Sequence, residues 1–191
     1  MTVLLLGPKR QKLIDYIISY GDPVICTEET VSSESDIIKG IDFIISYSYR
    51  HILKKDILNL FPGKIINLHI SFLPWNRGAD PNLWSFLEDT PKGVSIHYVD
   101  EGLDTGNILV QKEILYQLED TLRTSYDRLS QTIEKLFMEF WPHVRDDSLI
   151  AFPQQHEGTI HSRKDRKEYA HLLKRGWDTP VKYLIGRAIR K

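Results

Sequence analysis

Polar and apolar side chains alternate through Asn67-Leu68-His69-Ile70-Ser71-Phe72. A strand has a side-chain period of two, so in extended backbone the amide, the imidazole and the hydroxyl share one face. Such a row is costly to bury unpaired. It can line a cleft where each group meets a ligand, or it can face water as the polar side of a half-buried edge strand. This stretch alone leaves both readings open. Further along, Glu101-Gly102-Leu103-Asp104-Thr105-Gly106 forms a glycine-rich turn, in which Asp104 by itself is an ordinary turn residue.

The elements around these residues follow from periodicity. Val3 to Leu6, Val24 to Thr27, Asp42 to Ser46 and Lys64 to His69 are short apolar runs and read as strands. Between them, Lys9 to Tyr20 carries Leu13, Ile14, Ile17 and Ile18 at helical spacing. Ser33 or Ser35 can cap a brief helix ending at Gly40, and Ile52 to Leu60 reads as another helix. Short strands alternating with amphipathic helices predict an open, mainly parallel α/β sheet of Rossmann-like type. Ligands of such sheets sit beyond the carboxyl ends of the strands, where Asn67, His69 and Ser71 fall. After Pro74 the pattern changes. Asp80-Pro81 reads as a helix start, Val94 to Val99 alternates as a half-buried strand, and Ile108 to Ile114 pairs with it antiparallel. From Thr121 to Trp141 a long apolar stripe predicts the best helix in the chain. This sets a core domain over residues 1–149. A short extension over 150–191 is expected to hold a hairpin near Gln154 to His161, one or two short helices and a basic end, Arg187 to Lys191.

A length of 191 residues supports one full domain. Twenty-five basic against 26 acidic residues argue against a general nucleic-acid or anionic-membrane binder. The single cysteine, Cys26, can form neither an internal disulfide nor a CxxC metal site, so a cytoplasmic setting is expected. No apolar run has the length of a signal peptide or a membrane span.

Asn67-Leu68-His69 with Leu73-Pro74, then Gly78, then Asp100 to Gly106, resemble the folate-dependent N-formyltransferase family in identity and order. That family pairs an Asn-x-His strand and a Leu-Pro with a later Asp-x-Gly-x-Asp-x-Gly loop, and the resemblance spans roughly Ile41 to Ile114. It implies transfer of a formyl group from N10-formyltetrahydrofolate to a primary amine, with no metal. Asn67 and His69 match the residues that stabilise the developing oxyanion, and Asp104 matches the carboxylate that orients the imidazole and helps relay a proton. The pteridine pocket matches Tyr49, Arg50, His51, Ile52 and Leu53 together with Glu101, Gly102, Leu103 and Asp104. A plain helix start serves equally well for Ile52 and Leu53.

The amine acceptor is a separate question. Relatives acting on a purine precursor carry a glycine-rich phosphate loop after the first strand, whereas this chain reads Gly7-Pro8-Lys9-Arg10-Gln11. Relatives acting on initiator tRNA carry a further domain after the core, which the residues after Leu149 are too few to supply. The loop Pro74 to Ser85 is similar to that of bacterial sugar N-formyltransferases, whose amino-dideoxy sugars are often dTDP-linked and destined for surface polysaccharide. The resemblance thus implies a nucleotide-sugar substrate held by Ser71, Trp75, Arg77, Gly78 and Asn82, and a homodimer through the C-terminal region. Trp75 offers a flat face to a sugar, and Arg77 suits phosphate or hydroxyls. A formyltransferase for another small amine or for methionyl-tRNA, and a non-catalytic folate-fold binding protein, are the competing readings.

Overall fold

A computed structural model describes residues 1–189. The first strands form where the apolar runs predict them: β1 (Val3–Leu6), β2 (Val24–Thr27), β3 (Phe43–Ser46) and β4 (Ile65–His69). β1 runs parallel to both β2 and β3, and β3 runs parallel to β4. β6 (Gly93–Tyr98) and β7 (Ile108–Glu113) complete a six-stranded sheet of order β2-β1-β3-β4-β6-β7. The Tyr98 amide donates to Asn107 and the Ile114 amide to Lys92, so β6 and β7 pair antiparallel as expected. The crossover helices are α1 (Gln11–Ile18), which buries Leu13, Ile14 and Ile17, and α2 (Lys55–Leu60), which buries Ile57. α2 starts three residues later than the apolar pattern suggests, because Ile52 points to solvent and Leu53 packs in the core as part of a loop.

The chain forms two compact units, interleaved along the sequence. The first comprises residues 1–69, 96–110 and 134–153. Its core gathers Leu4, Leu6, Ile44, Ile57, Phe61 and Ile65. α4 (Leu122–Arg145) enters it with Pro142 inside the helix. Proline has no N–H for the carbonyl four residues back, and the Tyr16 hydroxyl donates to that carbonyl, Met138 O, at 2.5 Å. Asp22 is fully buried and accepts from the Arg145 guanidinium at 2.7 and 3.1 Å and from the Met1 amino group at 2.9 Å.

The second unit comprises residues 70–95, 111–133 and those from 154 onward. α3 (Pro81–Leu87) packs Leu83, Trp84, Phe86 and Leu87 against Leu122, Val181 and Leu184. Pro81 opens the helix as the sequence suggests, but Asp80 does not cap it with its side chain. Its backbone is left-handed at φ 54° and its carboxylate pairs with Arg166 at 3.2 Å. The hairpin expected near Gln154 to His161 does not form. Instead β8 (Ile160–His161) pairs in parallel with β5 (Arg77–Gly78), since the chain there hydrogen-bonds the loop after Pro74 rather than folding back on itself. Short 3-10 turns at Asp165–Leu172, Gly176–Asp178 and Val181–Tyr183 take the place of the short helices. Arg190 and Lys191 of the basic end lie outside the described residues. No helix among the described residues is long and apolar enough to cross a membrane.

Candidate active site

The site is assembled within the first unit, at the carboxyl end of β4. The Asn67 amide nitrogen donates to Asp104 Oδ1 at 3.1 Å, and His69 Nδ1 stands 3.7 Å from Asp104 Oδ2. One carboxylate thus addresses both residues of the Asn-x-His pair. His69 is 7% exposed, so its charge interactions are poorly screened by water.

Asp104 reaches this position because its loop is held at several points. Asp100 Oδ1 accepts from the Gly102 amide at 3.0 Å and from the Thr105 hydroxyl at 2.6 Å. Asp104 itself adopts a left-handed backbone at φ 54°, which Asp tolerates better than most residues. Gly106 lies against β6 so closely that an added Cβ would be 1.9 Å from Tyr98 O. The glycine there is a packing requirement.

A fourth residue joins the cluster. His97 Nε2 is 3.3 Å from the Asn67 amide nitrogen and 3.6 Å from Asp104 Oδ1, while its Nδ1 is 2.7 Å from Tyr98 O. A carbonyl only accepts, so Nδ1 carries the hydrogen and Nε2 of the neutral ring accepts from Asn67. The two rings of His69 and His97 are nearly perpendicular, with centroids 6.1 Å apart. Sequence reasoning passed over His97 as part of an alternating strand. The signal was present, for Ser95 and His97 repeat the period-two polar row of Asn67 and His69.

The expected pteridine loops also lie in this unit. Lys55 Nζ and Glu101 Oε1 are 2.8 Å apart and join the segment before α2 to the Asp104 loop. Tyr49 donates its hydroxyl hydrogen to Glu29 O at 2.7 Å, and burial pushes its phenol up from the ordinary tyrosine value. Its ring meets His51 edge-on at 5.2 Å, and His51 Nδ1 is 3.2 Å from the Thr30 hydroxyl. Ile52 is 77% exposed and Leu103 42% exposed, so each loop presents an apolar side chain to solvent, while Gly102 and Arg50 are also exposed and Leu53 is buried.

The residues expected to meet the sugar belong to the second unit. β4 ends at His69, so Ser71 does not continue its polar face. The Ser71 hydroxyl donates to the Trp75 carbonyl, and the Ser95 hydroxyl donates to Ser71 O at 2.8 Å. Asn82 is buried, with its amide donating to Leu122 O at 2.9 Å and its oxygen accepting from Ser125 at 2.8 Å, and so it holds α3 to α4. The Arg77 guanidinium donates to Gln154 Oε1 at 2.7 and 3.0 Å and to Glu157 O at 3.1 Å. Trp75 is half-buried, and Gly78 takes φ 87° in β5. Trp84 stacks on His161, with ring centroids 3.7 Å apart.

The parallel α/β sheet thus carries Asn67 and His69 at the carboxyl end of β4, with Asp104 reaching them from the loop after β6. The chain belongs to the formyl transferase family, whose formyl transferase domain matches residues 28–140. The crystal structure of the formyltransferase PseJ from Anoxybacillus kamchatkensis, in complex with UDP-4,6-dideoxy-4-formamido-L-AltNAc and tetrahydrofolate, is 55% identical. It covers 98% of this chain and 100% of that one, with a TM-score of 0.96. A methionyl-tRNA formyltransferase of Prochlorococcus marinus (strain MIT 9515) is 32% identical over 98% of this chain and 52% of its own length. A dTDP-4-amino-4,6-dideoxyglucose formyltransferase of Mycobacterium bovis is 30% identical over 72% of this chain and 58% of its own. The chain thus spans about half the length of the curated relatives it matches.

Proposed function

We propose that this protein transfers a formyl group from N10-formyltetrahydrofolate to the 4-amine of a nucleotide-linked 4-amino-4,6-dideoxy sugar. The observation that carries this reading is the Asp104 carboxylate set between Asn67 and His69, in a chain 55% identical over nearly its whole length to a formyltransferase solved with a formamido sugar nucleotide. That relative's ligand is UDP-linked, which favours uridine over the thymidine nucleotide suggested by the sequence.

When bound, the folate supplies an activated formyl carbon, and the exposed Ile52 and Leu103 on two loops joined by Lys55 and Glu101 suit the flat face of its ring. The sugar amine attacks that carbon, forming the new C–N bond, and negative charge gathers on the formyl oxygen. His69 donates to that oxygen, and the Asn67 amide joins it by turning one of its two N–H groups, which Asp104 and His97 otherwise hold, toward the developing charge. Asp104 holds both and, with water, takes the proton that the amine sheds as the bond to the folate nitrogen breaks and that nitrogen gains one. Trp75, whose flat face suits a sugar, is carried in the second unit by a loop that Ser71, Arg77 and Gly78 shape, and Asn82 ties the following helix to α4. A role in surface-polysaccharide synthesis, a cytoplasmic setting and a homodimer through exposed C-terminal side chains such as Tyr183 belong to the same reading.

The test is incubation with N10-formyltetrahydrofolate and, in parallel, UDP-linked 4-amino-4,6-dideoxy-L-AltNAc, dTDP-4-amino-4,6-dideoxyglucose and methionyl-tRNA. Formamide formation by mass spectrometry and matched tetrahydrofolate release are expected with the UDP sugar. Turnover of the tRNA alone, or of none of the three, would sink the reading.

A further inference from the structure

In the second unit, the segment after Phe152-Pro153 is built onto the loop Pro74 to Asp80. Gly158, at φ 67°, approaches so closely that an added Cβ would lie 2.0 Å from Pro74 O. The Thr159 amide donates to the same oxygen at 3.3 Å. In return the Asn76 amide donates to the Thr159 hydroxyl at 2.9 Å, and the Arg77 and Ala79 amides donate to the carbonyls of Thr159 and His161, each at 2.9 Å. Gln154 Oε1 takes two hydrogen bonds from the Arg77 guanidinium. At the far end His161 is pinned by its stack on Trp84 and by Glu88, 3.2 Å from its Nε2.

The loop needs such support. Asn76, Gly78 and Asp80 have φ of 57°, 87° and 54°, a left-handed conformation that Asn and Asp tolerate better than other L-residues but that is still sparsely populated. A loop of alternating left-handed residues does not hold one shape unless its surroundings over-determine it. The backbone amides of Asn76, Arg77 and Ala79, which follow Trp75, are fixed by the Thr159 hydroxyl and by the carbonyls of Thr159 and His161.

We propose that residues 154–161 form a strap that sets acceptor specificity, with Gln154 and Thr159 as positioning residues that fix the Pro74–Asp80 loop in the shape that presents Trp75 to the sugar. The proposal rests on the sugar-nucleotide reading above. Arg77, whose type suggests phosphate binding, acts here through the loop, since Gln154 and the Glu157 carbonyl engage its guanidinium.

The experiment is steady-state kinetics of the full chain with UDP-linked 4-amino-4,6-dideoxy-L-AltNAc and N10-formyltetrahydrofolate, for wild type, Gln154→Ala, Gln154→Glu and Thr159→Val. Thermal unfolding and amide hydrogen exchange over residues 74–80 accompany it. In Gln154→Ala and Thr159→Val, KM for the sugar is expected to rise about 10-fold while KM for the formyl donor stays within about twofold. Exchange should quicken at Asn76, Arg77 and Ala79, and Gln154→Glu, which keeps an acceptor for Arg77, should restore the sugar KM. Both KM values rising together, or an unchanged sugar KM with wild-type exchange, overturns the strap while leaving the sugar reading intact. Absence of wild-type turnover with any nucleotide sugar overturns the reading and the strap with it.

Discussion

Asp104 divides its two carboxylate oxygens between two residues of β4, with Oδ1 accepting from the Asn67 amide at 3.1 Å and Oδ2 facing His69 Nδ1 at 3.7 Å. Its removal therefore disconnects both donors at once. Asp104→Ala is expected to lower kcat by about 10²-fold or more with the unfolding midpoint nearly unchanged, because the loop is held by Asp100 and Gly106 independently of this carboxylate. Asp104→Asn keeps an acceptor for Asn67 but loses the charge. It should therefore fall between the two, and single-turnover formyl transfer measures all three. Near-wild-type turnover in Asp104→Ala would remove it from the machinery.

His97 fixes the Asn67 amide from the other side. Its Nε2 accepts at 3.3 Å only while Nδ1–H is committed to Tyr98 O. His97→Leu fills much of the same buried space without that acceptor, and the Asn67 amide is then held by Asp104 alone. A loss of about 10-fold in kcat is expected, with KM for the acceptor unchanged, since the residue orients a donor and touches no substrate. A rise in acceptor KM at constant kcat would contradict this assignment.

These two residues show how the sequence serves as a guide and where it stops. Asn67, His69 and the parallel strands were legible because a period-two row and short apolar runs are local signals, carried by neighbours in the chain. Asp104 was legible through the order of its motif. The polar row of Ser95 and His97 is visible in the same way, but not its role, because the partner Asn67 is thirty residues away and an alternating strand looks the same whether its polar face meets water or a buried amide. The segment 154–161 reads as a hairpin in the sequence for a similar reason. Ile160 and His161 pair with Arg77 and Gly78, and pairing at that separation leaves no turn chemistry to read. Ser71, Arg77 and Asn82 have side-chain types that suit a ligand equally well, and only their distances to Trp75 O, Gln154 and Leu122 O tie them to the loop and helix.

The Tyr16 hydroxyl and Met138 carbonyl, 2.5 Å apart, make a prediction about stability alone. Pro142 leaves Met138 O without its helical donor, so the tyrosine supplies what the helix lacks. Tyr20 next to it, by hydrogen bonding first and then burial, pushes the Tyr16 phenol up to about 12. The hydroxyl thus stays a donor throughout the working pH range. Tyr16→Phe should destabilise the fold by about 1–2 kcal/mol, the cost of one unsatisfied, partly buried carbonyl. Pro142→Ala in the same background should recover most of that loss by restoring the helical N–H. Urea unfolding of both variants checks it, and a Tyr16→Phe loss that Pro142→Ala leaves untouched would place the cause elsewhere.

Arg145 and Asp22 give a prediction whose sign depends on pH. Burial pushes the Asp22 carboxyl up, but the hydrogen bonds from Arg145 and the Met1 amine outweigh it and hold the group below its ordinary 3.8. A carboxyl lowered on folding stabilises the native state above its unfolded value, and that contribution is lost as pH falls through the folded one. Arg145→Met leaves Asp22 buried beside the Met1 amine. The expected cost at pH 7 is about 2 kcal/mol, below the ~3–5 kcal/mol typical when a buried charge loses its sole partner. Below about pH 4 the unfolded chain takes up the proton first, the wild type begins to lose its advantage, and the gap between wild type and variant should narrow. Denaturant unfolding at pH 7, 5 and 3.5 measures that gap. If it stayed constant across the three, the stabilisation would come from the packing of the Arg145 stem and not from its charge on Asp22.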